Sequence, residues 1–499
     1  MSIKSSLARP FASYVASKIK SAHTKPIEHQ KKIMLQLIAQ AKDTAFGNAN
    51  NFESVKTYSD FKQAVPIADY EALKPWIEKI KQGEQNILWP GKPLYFAKTS
   101  GTTSGVKYIP ITKASMPNHI NSARNALLMY INNSGNTDFV NGKMIFLQGS
   151  PEVEELHGIK IGRLSGLVYH HVPGYLLKNR LPSYQTNCIE DWEEKVEKIC
   201  RETIKENMTL ISGIPPWVIM YFEKLLEISS KKTVKEIFPN FSLFVYGGVN
   251  YEPYRMRMEE LIGGKIDSIE TYPASEGFIA YQDSLTEPGL LLNVNSGIFF
   301  EFIPVEEVHL ENPTRISLES VELDKNYALV INSNAGLWGY FIGDTVKFVS
   351  LNPHRIIVSG RVKHFISAFG EHVIGEEVEF AILEAAKKMQ ITIREFTVAP
   401  QVNPTEGLPY HEWFVEFEKN PEDIDAFTVL VDENLQKKNI YYRDLIEGKI
   451  LRPLIITLMQ PNAFRDFMKS KGKLGGQNKV ARLSNDRIIA NELDSWKAC

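Results

Sequence analysis

Between residues 28 and 42 the apolar positions recur three and four apart: Ile33, Leu37 and Ala41 make one stripe, with Met34 and Ile38 beside it. That spacing predicts an amphipathic helix, which the polar Asp43-Thr44 and Gly47 would end. Residues 59–80 read as short helical pieces divided at Pro66 and Pro75, because proline lacks the N–H that a helix interior needs. From about residue 94 to 350 the pattern changes. Short apolar runs at 143–147, 243–245 and 328–332 alternate with longer amphipathic segments at 116–131, 190–206 and 216–226, as expected of a layered α/β domain.

A second region follows Pro353, with an apolar strand at 355–359, a helix at 376–389, a strand at 412–418 and helices near 427–437 and 461–470. The boundary is placed at the Gly360-Arg361 turn. The fold class is therefore α/β, a large layered N-terminal domain over 1–359 preceding a smaller α+β domain over 364–499. A chain of 499 residues is about three typical domain lengths, which agrees with more than one core.

Composition narrows the function classes. Lys plus Arg (57) nearly cancel Asp plus Glu (59), so the overall balance lacks the electrostatics of non-specific nucleic-acid binding. Cys188, Cys200 and Cys499 form no C-x-x-C pair and no cluster with nearby His, and read as reduced thiols of a cytoplasmic protein. No stretch reaches the roughly 18 apolar residues that span a bilayer, so no membrane partner is expected. Residues 1–27 carry Lys4, Arg9, Lys18, Lys20 and Lys25 and no acid. Two readings stay open there: an organellar targeting segment, or, preferred, a basic amphipathic helix with Phe11, Tyr14, Val15 and Ile19 on one side.

After the apolar Tyr95-Phe96 the chain reads Lys98-Thr99-Ser100-Gly101-Thr102-Thr103-Ser104-Gly105-Val106-Lys107. Glycines let backbone N–H groups approach an anion, hydroxyls add donors and Lys107 adds charge, so the loop suits phosphate. A Ser/Thr/Gly run is also a common flexible surface loop. It is not a Walker loop, which needs Gly at 106 and Ser or Thr at 108, where Val106 and Tyr108 stand. G-x-G-x-x-G, H-E-x-x-H and G-x-S-x-G are all missing, the last narrowly, since Pro273 stands two before Ser275. Dehydrogenase, zinc protease and serine hydrolase lose their usual support.

The loop resembles the signature of the adenylate-forming superfamily of acyl-CoA synthetases, adenylation domains and luciferases. Further motifs follow in that superfamily's order: Tyr246-Gly247-Gly248, Tyr272-Pro273-Ala274-Ser275-Glu276-Gly277, Tyr340-Phe341-Ile342-Gly343-Asp344, Gly360-Arg361-Val362-Lys363, and Gly475-Gly476-Gln477-Asn478-Lys479-Val480-Ala481-Arg482. Within it the chain is most similar to the acyl-acid amido synthetases, the auxin-responsive Gretchen Hagen three family. Ser100 to Gly105 running into Lys107-Tyr108-Ile109-Pro110, the Ser275-Glu276 pair and Tyr340 to Asp344 carry this likeness, and Thr44-Ala45-Phe46-Gly47 extends it towards the N-terminus. Two departures stand out: Phe341 where plant members usually have Arg, and Pro273-Ala274 in place of small or hydroxylated residues.

The resemblance implies a ligase that uses ATP and magnesium to adenylate a small carboxylic acid and then transfers the acyl group to an amine, an amino acid by expectation. An acid–thiol ligase making acyl-CoA and a non-catalytic acid or nucleotide sensor are the alternatives. It also implies roles. Ser100, Gly101, Thr102, Thr103, Ser104, Gly105 and Lys107 hold phosphates; Glu276, after Ser275, holds Mg²⁺; Asp344 accepts from the ribose; Gly247, Gly248 and Tyr272 receive the adenine. Residues 360–363 are the hinge, Lys363 its pivot and Arg361 near the ribose, and Lys479 in a mobile C-terminal domain neutralises the reacting carboxylate and α-phosphate. Otherwise Glu276 is a solvated loop carboxylate, Asp344 a turn residue and Lys479 an exposed loop lysine. Candidates for the acyl pocket are Arg124, the pair His170-His171, Trp217 and Tyr221, each equally readable as a surface or core residue.

Overall fold

The computed structural model describes residues 3–100, 106–171, 178–362, 365–366, 368, 371, 373–447, 450–474 and 479–498. The chain divides into two compact units. The first comprises 1–249, 262–342 and 346–358; the second takes 250–261 and 343–345 as well as 359–499. The division anticipated near 359 is thus interleaved, with two short segments from earlier in the chain folding into the second unit.

In the first unit the helix predicted over 28–42 is found as Pro26–Ala41 and buries Ile33, Met34, Leu37, Ile38 and Ala41. Helix Ile3–His23 buries Ala12, Val15 and Ala16, while Phe11 and Tyr14 stay 48% and 57% exposed. Half of the anticipated face is found: Val15 is buried and Ile19 packs against the same cluster, whereas Phe11 and Tyr14 lie off it and Ala12 and Ala16 share the contact side facing helix Met116–Ser134. Pro75 also corrects an expectation. It lies inside helix Tyr70–Lys81 without ending it. An interior proline costs about 3 kcal/mol, and burial of Tyr70, Leu73, Ile77 and Ile80, at roughly 1.5–3 kcal/mol each, outweighs that.

The centre of the first unit is a large sheet. Strands Arg180–Leu181, Lys143–Phe146, Met208–Ser212, Leu243–Gly247 and Asp267–Ala274 lie side by side in that order, all parallel. Asp267–Ala274 then turns back through a two-residue loop into antiparallel Gly277–Tyr281. Helices such as Trp192–Thr203 and Pro215–Ser229 separate the parallel strands in sequence, as crossover connections require. A smaller sheet holds the hairpin Tyr95–Ser100 and Val106–Ile111, registered with Ser100 opposite Val106.

The second unit packs helices Gly375–Met389 and Ile424–Lys438 on a three-stranded sheet of Ile393–Gln401, Tyr410–Phe417 and Ile455–Leu458. Val378, Ala381, Ile382, Phe396, Val398, Trp413, Phe427 and Val431 form its core. Strand His354–Arg361 runs through the anticipated Gly360-Arg361 turn, and the chain turns at Val362, whose N–H donates to the Gly343 carbonyl at 2.8 Å. No helix among the described residues is long and apolar enough to cross a membrane.

Candidate active site

Ser275 and Glu276 are the two residues of the loop joining Asp267–Ala274 to Gly277–Tyr281, so the hairpin holds Glu276 at its tip. The Tyr340 hydroxyl donates to Glu276 Oε1 at 3.4 Å. Burial, then the Glu276 charge, pushes the Tyr340 hydroxyl far above its usual range, so it stays a donor. Tyr340 is itself fixed by a parallel bridge: the Ala68 N–H donates to Gly339 O and the Phe341 N–H to Ala68 O, both at 2.8 Å. Gly339 is required there, since a Cβ would sit 2.0 Å from Pro66 O.

The same segment leads into Tyr70, where Asp69 caps the helix. The Tyr70 hydroxyl accepts from the Tyr108 N–H at 2.9 Å, and Lys107 Nζ lies 5.6 Å from the Tyr70 ring centroid. Lys107 follows the loop 101–105, and Tyr70 is among the groups acting on Tyr340. The fold thus gathers Lys107, Tyr70, Tyr340 and Glu276 around one region of the first unit. Gly101, Thr102, Thr103, Ser104 and Gly105 lie outside the described residues, as does Lys363; Ser100 is placed by its backbone at the end of its strand.

Gly247 and Gly248 end the strand Leu243–Gly247 at the carboxyl edge of the parallel sheet. A Cβ on Gly247 would meet the Thr271 carbonyl oxygen at 2.4 Å, and Gly248 has φ +82. The bare backbone needed against a flat ring is therefore built in. Tyr272, expected to stack on adenine, lies in the core cluster that also holds Tyr340 and Ile279.

In the second unit Arg361 Nε donates to Asp344 Oδ1 at 2.6 Å, with Asp344 buried and Arg361 nearly half exposed. Lys479 is exposed, yet chain packed around its ammonium, together with the Arg361 charge, lowers its pKa to about 8 against the pull of Asp344. Three residues on, Arg482 donates to Tyr254 at 2.6 Å, to Glu379 at 3.3 Å and to Glu395. Tyr254 donates in turn to Glu395 at 2.9 Å. This group fastens the chain after Lys479 onto strand Ile393–Gln401, helped by Val398 N–H to Arg482 O at 3.0 Å and Thr397 to Ala481 O at 2.6 Å.

The acyl-pocket candidates scatter. Arg124 is exposed and donates to Asn125 at 3.1 Å. Trp217 and Tyr221 are buried, Trp217 against Trp192 and Tyr221 bonded to Thr203 at 2.7 Å. His170 bonds Pro151 O at 2.8 Å, and His171 meets the Tyr95 hydroxyl at 3.0 Å, its pKa lowered by burial.

Residues 15–186 and 176–266 match the GH3 family N-terminal domain, 291–361 the GH3 family central domain and 376–488 the GH3 family C-terminal domain. The chain belongs to the GH3 family. Among similar GH3 proteins, the indole-3-acetic acid-amido synthetase GH3.3 of Arabidopsis thaliana is 23% identical over 93% of this chain and 91% of its own. The jasmonoyl–L-amino acid synthetase JAR4 of Nicotiana attenuata is 24% identical over 58% and 60%. The solved structure of AtGH3.15 acyl acid amido synthetase in complex with 2,4-DB superposes with a TM-score of 0.80 at 16% identity, covering 98% of this chain and 96% of that one. A 2-hydroxyisobutyryl-CoA ligase shares the GH3 chain's fold more loosely, at a TM-score of 0.57, 12% identity and 93% and 91% coverage.

Sequence reasoning missed Tyr70, Tyr254, Glu379 and Glu395 as supports of this GH3 site. Tyr340 and Arg482 lay within quoted motifs, which was a signal for them; the other four carried none.

Proposed function

We propose that this GH3 chain, a ligase of the acyl-acid amido synthetase type, adenylates a carboxylic acid with ATP and then transfers the acyl group to the amine of an amino acid. The acid's oxygen attacks the α-phosphorus, pyrophosphate leaves, and the amine then displaces AMP from the acyl carbon, losing its proton as the amide forms. The grouping of Lys107, Tyr70, Tyr340 and Glu276 carries this reading, because it brings a cation and a carboxylate to one region and Lys107 directly follows Ser100 to Val106, the glycine- and hydroxyl-rich sequence suited to anions.

In this reading the backbone and hydroxyls of Ser100, Thr102, Thr103 and Ser104 hold phosphates with Lys107. Gly247 and Gly248 accept the flat adenine, and Asp344, oriented by Arg361, accepts from the ribose. Lys479 supplies positive charge to the two anions that react, a stabilisation that grows as charge accumulates. No cluster of three metal-ligating side chains occurs among the described residues. Glu276, at the tip of its hairpin, supplies a single carboxylate, and magnesium is commonly held by one or two carboxylates together with substrate phosphates. Bound there, magnesium would offset charge on the departing pyrophosphate. The free Cys188 and Cys200 support a reducing, cytoplasmic setting.

The test is acid-dependent exchange of labelled pyrophosphate into ATP over aryl, indole and fatty acids, with Lys479→Ala and Glu276→Ala alongside. Exchange with some acid, lost in both variants, is the expected result, after which an amino acid or coenzyme A as acceptor separates amide from thioester formation. ATP binding without exchange across a broad acid library would overturn the enzyme reading.

A further inference from the structure

The proposed chemistry leaves two buried cations of the first unit unused. Arg180 is 9% exposed and Lys195 3%. Arg180 stands on the edge strand Arg180–Leu181, opposite Met144, with its guanidinium carbon 4.7 and 4.4 Å from the ring centroids of Phe146 and Tyr169. Lys195, from helix Trp192–Thr203, donates to the carbonyls of Gln148 at 3.1 Å and Asn187 at 2.6 Å. Gln148 joins them, since its side-chain oxygen accepts from Arg180 Nη2 at 2.6 Å.

Neither cation forms an ion pair with a described carboxylate. Buried charges are normally paired, because desolvation without a partner is costly. Burial lowers Arg180 to about 10 and Lys195 to about 8; at Lys195 the Cys188 thiol opposes that shift and Arg163 adds to it, so this place has no described carboxylate to offset its burial. It also holds unused donors. Arg180 Nε and Gln148 Nε2 are both buried without a partner among the described residues, and Gln148 is only 8% exposed.

Position adds a second argument. Strands Lys143–Phe146, Met208–Ser212 and Leu243–Gly247 are adjacent and parallel. Gln148, two residues beyond Phe146, therefore lies on the same carboxyl edge as Gly247-Gly248, about 10 Å along it at two strand spacings. Ligands of open α/β sheets bind outside that edge.

We propose that Gln148, Arg180 and Lys195 form a subsite for the carboxylate of an organic substrate. A guanidinium is planar and presents its N–H donors along one edge, the geometry that carboxylates match, and the two neighbouring rings limit its movement. Resting on the amide-ligase reading, the subsite takes either the α-carboxylate of the amino-acid acceptor or the second carboxylate of a dicarboxylic acyl acid.

The experiment compares amino acids with their carboxamides as acceptors, and dicarboxylic acids with their half-amides in pyrophosphate exchange, for the wild type and Arg180→Gln. The wild type is expected to show a KM at least about 10-fold lower for the free carboxylate of one substrate, and Arg180→Gln to erase that preference. A raised acceptor KM with exchange intact assigns the acceptor; a raised acid KM in exchange itself assigns the dicarboxylic acid. No preference for carboxylate in the wild type, or a preference unchanged in a folded Arg180→Gln, overturns the subsite. If the variant does not fold or the wild type shows no exchange, wild-type melting decides: leucine or glutarate at ~20 mM should raise Tm by about 2 °C, and their amides should not. Equal shifts with acid and amide would overturn the proposal, whereas missing exchange alone counts against the ligase reading and not against this site.

Discussion

Arg361 donates to Asp344 at 2.6 Å, and both residues act on the ammonium of Lys479, Arg361 lowering its pKa and Asp344 raising it. A lysine at about 8 is charged below that pH and neutral above it. If adenylation uses the ammonium, pyrophosphate exchange at saturating ATP falls as pH rises through about 8. Arg361→Met removes a neighbouring positive charge and moves the fall to higher pH. Asp344→Asn removes the attraction and moves it lower. A pH profile unchanged in both variants would show that another group controls the rate.

Arg482 neutralises Glu379 and Glu395 at once. Arg482→Met leaves two buried carboxylates without a cation, and removing one partner of such a group costs about 3–5 kcal/mol. Glu379 already titrates above its usual range because of burial, and losing Arg482 raises it further above its unfolded value. The deficit should be largest near neutral pH and shrink as pH falls through the raised value, where protonation removes the unpaired charge. Urea unfolding at two pH values measures both effects.

Gly247 and Gly248 answer to different constraints. Gly247→Ala drives a Cβ towards the Thr271 carbonyl oxygen at 2.4 Å, so the strand must shift, at about 1–3 kcal/mol. Gly248→Ala meets nothing closer than 3.9 Å and carries only the strain of its φ of +82, about 1–2 kcal/mol. Thermal unfolding should rank Gly247→Ala as the more harmful, with a raised KM for ATP if this backbone receives adenine.

Tyr340→Phe deletes a hydroxyl donor to Glu276. At 3.4 Å that contact is long, so stability should change by less than about 1 kcal/mol. Exchange should need more magnesium for half-maximal rate, because Glu276 is less well oriented. A magnesium titration identical to wild type would remove Tyr340 from the site.

The helix Pro26–Ala41 was legible because one local stripe decides which face is buried. Along helix Ile3–His23, Val15 and Ile19 were placed rightly but Phe11 and Tyr14 were not, because the packed side runs through Ala8, Ala12 and Ala16, which have no strong apolar signal. Pro75 misled because the local rule was outweighed by tertiary burial. The motif residues Glu276, Asp344 and Lys479 were found by order along the chain, but their partners were not. Arg482 meets Tyr254 across more than two hundred positions, and Arg180 meets Gln148 only after two strands have paired. Such contacts leave no spacing to read.

Tyr254 sits in residues 250–261, which fold with the C-terminal unit although they come from the middle of the chain. That unit is accordingly not a cassette. A graft or deletion made at 359/360 would separate Arg482 and Glu395 from the tyrosine that bonds both. Exchange of C-terminal halves between family members succeeds, on this view, only when the donor's own short helix travels with them.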